Sequence, residues 1–331
     1  MRSGPEWNVE SQGLWRAWAA EQMMSFRPGS SAPLLPRSSA HLPLALFPFP
    51  VLRPAPRPAY NVAVITLAPA LAALLLAAPA AVNIASVPGA GPYYALTFDA
   101  HVESSGAAQL LALLRERHVR ATIFATGRFA ETYPELLRQA AADGHEIGNH
   151  TFTHPHLTTW ATNHRHDTRA GITRARLQDE LRRTAAAIEA ATGRPPSRFW
   201  RAPYGEHNAT IRAWAAELGL VHVDWTHADH DSLDALDWVE ARGARSYMGP
   251  EAMARRLLGF EERTGVPLAG SIMLMHLGNG RPDLPLLEAL PLVLDETDRR
   301  GLHPVGIGEL LRRAGVSLPP LPVAPAEPAR R

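Results

Sequence analysis

From about residue 92 to 312, short apolar runs alternate with longer amphipathic stretches. "YYALTFDA" (93–100), "RATIFAT" (120–126) and "HEIGNHT" (145–151) read as short buried strands, as do "SRFWRAPYG" (197–205), "LVHVDWT" (220–226), "GSIMLMHLG" (270–278) and "LHPVGI" (302–307). Between them, "SGAAQLLALLRERHV", "YPELLRQAAADG", "TRARLQDELRRTAAAIEAATG", "NATIRAWAAELG", a stretch around 250 to 263, "LPLLEALPLVLDETDRRG" and "GELLRRAG" carry helical spacing. Gly144, Gly193, Gly219 and Gly301 stand where helices should stop. About seven strand–helix units of this kind admit two architectures, an open doubly wound α/β sheet or a closed barrel. In both, function gathers at the carboxyl ends of the strands. The chemically unusual residues fall there: Asp99, His150, Arg201 with Tyr204, Trp225 and His276.

Outside that region the pattern differs. Residues 1–59 are a proline-rich, low-complexity leader expected to be disordered. Residues 60–86 hold an uncharged run, Val62 to Val82, preceded by Arg53 and Arg57, near the roughly 20 residues that a membrane span needs. With the small-residue site Ala78-Pro79-Ala80 it reads as a signal peptide or an N-terminal membrane anchor; Pro69 and Pro79 argue against a buried core helix. Export, or anchoring on the outer face of the cytoplasmic membrane, is the expectation. The folded domain is placed at 92–315 and a flexible proline-rich tail at 316–331.

Composition narrows the chemistry. Charge is balanced, 33 basic against 32 acidic residues, which gives no reason to expect a nucleic-acid partner. Every basic residue is arginine, so lysine-based Schiff-base and Walker mechanisms are excluded. No cysteine is present, so a transition metal must be held by His, Asp or Glu. Oligomeric state is not legible.

The stretch "GHEIGNHTFTHPHLTTW" (144–160) crowds four histidines together. His150 and His154 have i, i+4 spacing; if the chain turns into a helix there, both face one ion. His145 and His156 read as neighbours, and His164 and His166 as solvated loop residues. Asp99 ends an apolar strand, where a carboxylate needs a cation, donors or a cleft. Arg201 is costly to bury unless it pairs with a carboxylate such as Asp99. His276 ends another apolar strand. Trp160 is a candidate sugar platform in a long polar loop, whereas Trp200 and Trp214 read as packing residues.

In this order, "LTFD", "GHEIGNHTFTH", "FWRAPYG" and "IMLMH" resemble the polysaccharide deacetylases of the NodB-homology type, carbohydrate esterase family 4. The resemblance covers residues 92 to 312. It implies a distorted, TIM-barrel-like (β/α) barrel and one divalent metal ion, zinc first, used to remove N-acetyl groups from a surface or cell-wall polysaccharide. It further implies Asp99 as base, His150 and His154 as metal ligands, Arg201 as the residue orienting Asp99, and Tyr204 as an oxyanion donor through its backbone N–H. His276 would be the acid, tuned by Asp234 or Asp237 of "DALDW", with Trp225 or Trp238 walling the pocket. Two departures stand out. Ala100 occupies the place of the family's third ligand, an aspartate; His101 and Glu103 are the nearest replacements, and His101 would point to the opposite face if the strand continued. Leu277 replaces the aspartate after the last histidine. An O-acetyl esterase or amidase using the same site, and a catalytically silent carbohydrate-binding homologue, are the alternative readings.

Overall fold

The computed structural model describes residues 81–318. The expectations for residues 1–59, for nearly all of 60–86 and for most of 316–331 lie outside the described residues. Among the described residues no helix is long and apolar enough to cross a membrane.

Strands β1 (Asn83–Ile84), β2 (Tyr93–Ala100), β3 (Thr122–Ala125), β4 (Glu146–Asn149), β5 (Phe199–Trp200) and β6 (Val221–Val223) build a parallel sheet in the order β1-β6-β5-β4-β3-β2. β9 (Ile272–His276) and β10 (His303–Val305) both pair with β2, also in parallel. β7 (His227–Ala228) and β8 (Asp231–Ser232) form a separate antiparallel pair. The two ends of the sheet approach each other: Thr226 N–H donates to the Ile272 carbonyl, and Ser86 bridges Ser271. The result is a distorted (β/α) barrel. β2 is buried along seven of its eight residues, as expected of a parallel strand covered on both faces.

The helices wrap this sheet as their sequences dictate. In α1 (Ala107–Glu116), Ala107, Leu110, Leu111 and Leu114 form the buried stripe at i, i+3, i+4 and i+7. α2 (Gly127–Thr132) starts on Thr126, whose hydroxyl accepts from Phe129 N–H. α3 (Pro134–Ala142), the one-turn α4 (Trp160–Asn163) and α5 (Arg174–Thr192) follow, α5 capped by Thr173 and stopped by Gly193 at φ 73°. After α6 (Ala209–Ala216), the stretch around 250 to 263 divides at Gly259 into α7 (Pro250–Leu258) and α8 (Phe260–Thr264). α9 (Leu286–Arg299) and α10 (Ile307–Arg313) close the layer.

Two features differ from the sequence reading. The sheet takes in Asn83–Ile84, ahead of the start placed at residue 92; two residues are too few to show a period. Residues 150–159 form no helix. Thr151 (φ 63°) and His154 (φ 56°) both turn left-handed, so His150 and His154 are brought together by a folded loop and not by helical spacing.

Candidate active site

Strand register sets the floor of the site. On the central strand β2, Asp99 lies beside His276 of β9 on one side and Phe124 of β3 on the other. Arg201, fully buried just past β5, donates from Nη1 to Asp99 Oδ1 at 2.8 Å. Its Nε and Nη2 go to the carbonyls of Val223 (3.2 Å) and Asp224 (3.1 Å), and its guanidinium lies over the Phe124 ring. The buried cation is thus matched on each of its nitrogens, the condition under which such burial is tolerable. Burial alone would raise the Asp99 pKa, but Arg201, His150 and His276 outweigh it and hold the carboxyl below its ordinary range.

Asp99 Oδ2 faces His150 Nε2 at 3.5 Å. His150 Nδ1–H donates to the Arg201 carbonyl at 2.9 Å, which fixes the tautomer and leaves Nε2 with its lone pair toward the site. That Nε2 lies 3.2 Å from Nε2 of His154. Two ligands about 2.0–2.1 Å from a tetrahedral ion would be roughly 3.3 Å apart, so this pair fits a divalent metal. Burial, first of all, depresses the pKa of both imidazoles, keeping them in the neutral form a metal requires.

Opposite stands His276. Its backbone N–H donates to Asp237 Oδ2 and its Nδ1–H to Asp237 Oδ1, each at 2.9 Å. Burial opposes the charged imidazole, yet Asp237, with Asp99 and Asp234 behind it, raises the pKa to about 9. Of the two aspartates expected to tune His276, Asp237 is the one in contact. Asp234 accepts from Leu236 N–H and the Trp238 indole, and its pKa is raised by burial.

Tyr204 sits left-handed (φ 58°) in the turn Pro203–Gly205. Its ring lies flat on His156, centroids 4.0 Å apart, and edge-on to His154 at 4.5 Å. Glu206, fully buried, binds His156 Nδ1 at 2.7 Å and accepts Thr158 N–H at 2.9 Å. His156 therefore braces the site and does not stand apart from it.

The remaining candidates divide. His101 is half-buried, its ring 5.2 Å from that of His154 and 5.7 Å from that of His276, between centroids. Glu103 is exposed on the following loop. Trp225 packs over Gly205, where a Cβ would come within 2.8 Å of its ring, and Trp238 sits above Asp234. Trp160 stacks on His166 (4.7 Å, 18°), and His166 lies near His207. His145 is buried at the opposite end of β4, where its Nδ1 accepts from Ala121 N–H.

One group was not anticipated. Among the described residues, His207, His222 and Asp224 are the trio whose donor atoms all lie within 4.8 Å of one another. Both imidazole lone pairs there are already used. Arg212 donates to His207 Nδ1 (2.7 Å) and His207 Nε2–H to Asp224 (2.9 Å). Ala202 N–H donates to His222 Nε2 (3.1 Å) and His222 Nδ1–H to Asn83 (2.7 Å). An ion on His207 Nε2 would move the ring proton to Nδ1, against an arginine donor. The trio is therefore a brace behind Arg201 and not a metal centre. Its signal in the sequence was a histidine inside a strand, "VHV", which periodicity treats as a gap in an apolar run.

The family described as Polysaccharide deacetylase matches over residues 86–223. The peptidoglycan-N-acetylglucosamine deacetylase of Bacillus cereus is 27% identical over 215 residues, 64% of this chain; the match spans just under two thirds, 66%, of that protein. A chitooligosaccharide deacetylase of Sinorhizobium fredii is 31% identical over 196 residues, 58% of this chain and 77% of its own length. A family 4 acetyl xylan esterase from Clostridium thermocellum, solved in complex with a cobalt ion, shares the fold with a TM-score of 0.54 at 25% identity, covering 68% of this chain and 93% of that one.

Proposed function

The chain belongs to the polysaccharide deacetylase family, and on that premise we propose that it hydrolyses N-acetyl groups of a surface or cell-wall polysaccharide with the help of one divalent metal ion, zinc first. The observation that carries the reading is the convergence of His150 and His154, their Nε2 atoms 3.2 Å apart, between an arginine-held carboxylate and an aspartate-held histidine.

His150 and His154 would hold the ion, which when bound supplies a Lewis acid and acidifies water toward neutrality. Asp99 is the base. With Oδ1 taken by Arg201, its Oδ2 is the oxygen that takes the proton of the attacking water. His276, protonated at neutral pH and held through Nδ1 by Asp237, gives the proton on Nε2 to the departing amine. Tyr204 offers its backbone N–H to the developing oxyanion, in a left-handed turn clamped from behind by His156 and Glu206. Trp225 and Trp238 wall the pocket. Export or outer-face anchoring belongs to the same reading, supported by the apolar run from 62 to 82 after Arg53 and Arg57 and by a polymeric substrate outside the cell.

Acetate release decides between the readings. The purified chain, with about one equivalent of zinc, is expected to free acetate from N-acetylated chitooligosaccharides or peptidoglycan fragments. Activity confined to O-acetylated xylan would favour the esterase reading. Binding of these sugars without any acetate release would favour the silent carbohydrate-binding reading.

A further inference from the structure

A hydrolytic zinc site ordinarily takes three protein ligands and keeps its fourth position open. His150 and His154 provide two. Resting on the metal-dependent reading above, we propose that His101 is the third, so that this chain holds its ion with three imidazoles.

Strand alternation carries the argument. β2 points successive side chains to opposite faces. Leu96, Phe98 and Ala100 lie in the large core cluster beneath the helices, whereas Asp99 faces Arg201 and the histidines. Position 101, one step beyond the strand, falls on the face of Asp99, and the Ala100 methyl, buried in the core cluster, can donate nothing to an ion. The face opposite Ala100, which the sequence offered as an objection, is therefore the site side. The rings bear this out. Two imidazoles on one tetrahedral ion, each bound at about 2.0–2.1 Å, place their centroids roughly 5 Å apart. His150 to His154 is 4.8 Å and His101 to His154 is 5.2 Å. His154 is the neighbour of both. The donor atoms of the three do not all lie within the 4.8 Å circle that His207, His222 and Asp224 satisfy, so a turn of the His101 side chain onto the ion is part of the proposal.

The competing donors are weaker. Glu103 is exposed, and its backbone carbonyl lies against Gly278, where a Cβ would come within 2.6 Å of it. Asp99 shares its charge with Arg201 at 2.8 Å, and using it as a ligand would leave no carboxylate to take the proton.

The test is zinc affinity of the full chain, stripped by chelator and titrated against a competing chromophoric chelator. The expectation is one equivalent for the unaltered chain and a loss of about 100-fold or more in His101→Ala, since removing a ligand should cost at least as much as removing its supporting partner. His101→Asp should recover most of the affinity, and Glu103→Ala should stay within about threefold of the unaltered chain. Equal melting temperatures of the stripped forms separate lost ligation from lost folding. Cobalt substitution gives a second readout, a visible absorption spectrum that changes in His101→Asp as nitrogen is exchanged for oxygen. Unaltered affinity in His101→Ala, no recovery in His101→Asp, or a large loss in Glu103→Ala would each overturn the assignment while leaving the metal-dependent reading standing. An unaltered chain that binds no zinc would sink both.

Discussion

Asp237 holds His276 twice, through the ring and through the backbone, so the angle of the imidazole and its proton are set by one side chain. The pKa of about 9 follows from that grip. It lies above the roughly 6.5 of an unfolded histidine, so the group's stabilising contribution is complete below about 6.5 and is lost as pH rises through about 9. Asp237→Asn is expected to bring the His276 pKa down and to move the basic limb of the kcat/KM profile to lower pH. NMR titration of the imidazole C–H signals checks the first and a pH–rate profile the second; an unmoved basic limb would remove His276 from the role of acid.

Arg201 and Asp99 form a buried pair whose members depend on one another. Arg201→Met takes from Asp99 its hydrogen-bonded cation and the largest of the charges that hold it ionised, and should cost about 3–5 kcal/mol in urea denaturation. It should also raise the Asp99 pKa, so that stability and activity fail at a higher pH on the acid side than in the unaltered chain. Adding Asp99→Asn to the same chain should return much of the lost stability, but none of the activity.

Glu206 joins the loop of His154 and His156 to the turn of Tyr204. Glu206→Ala would leave the Thr158 N–H without its acceptor beside a new cavity, at about 2–4 kcal/mol. The larger effect should fall on kcat and not on KM, because Tyr204 would lose its backing. Glu206→Gln can accept from Thr158 and donate to His156 Nδ1, so it should recover most of both. A similar kcat in the Ala and Gln variants would separate Glu206 from catalysis.

Gly205 combines a positive φ of 65° with the Trp225 ring 2.8 Å from any Cβ placed there. Gly205→Ala should destabilise by more than the roughly 1 kcal/mol of a left-handed alanine alone. It should also displace Trp225, which fluorescence would report.

The barrel was legible because its strands are continuous apolar runs and its helices end on glycine; "YYALTFDA" coincides with β2 to the residue. Asp99, Arg201 and His276 were legible because charged or polar residues at the ends of such runs need partners. What stayed hidden was decided between loops. The left-handed turns at Thr151 and His154 replace the expected helix, and only tertiary contact shows that His156 lies flat on Tyr204. The choice of Asp237 over Asp234 likewise depends on how the segment after β8 folds back onto β9, a non-local pairing without a period of its own.

The two-residue strand β1 has a practical meaning for anyone trimming this protein. Asn83 and Ile84 pair with His222 and Val223, Asn83 accepts the proton of His222, and Ala85 and Ser86 reach Thr226 and Ser271. A fragment cut at residue 90 would strip this stave from the barrel, bare the hydrogen-bonding edge of β6 to other chains and invite aggregation. It would also loosen the ground under Arg201 from behind. An inert, clumping preparation of that fragment would then report on the missing stave and say nothing about the residues of the site.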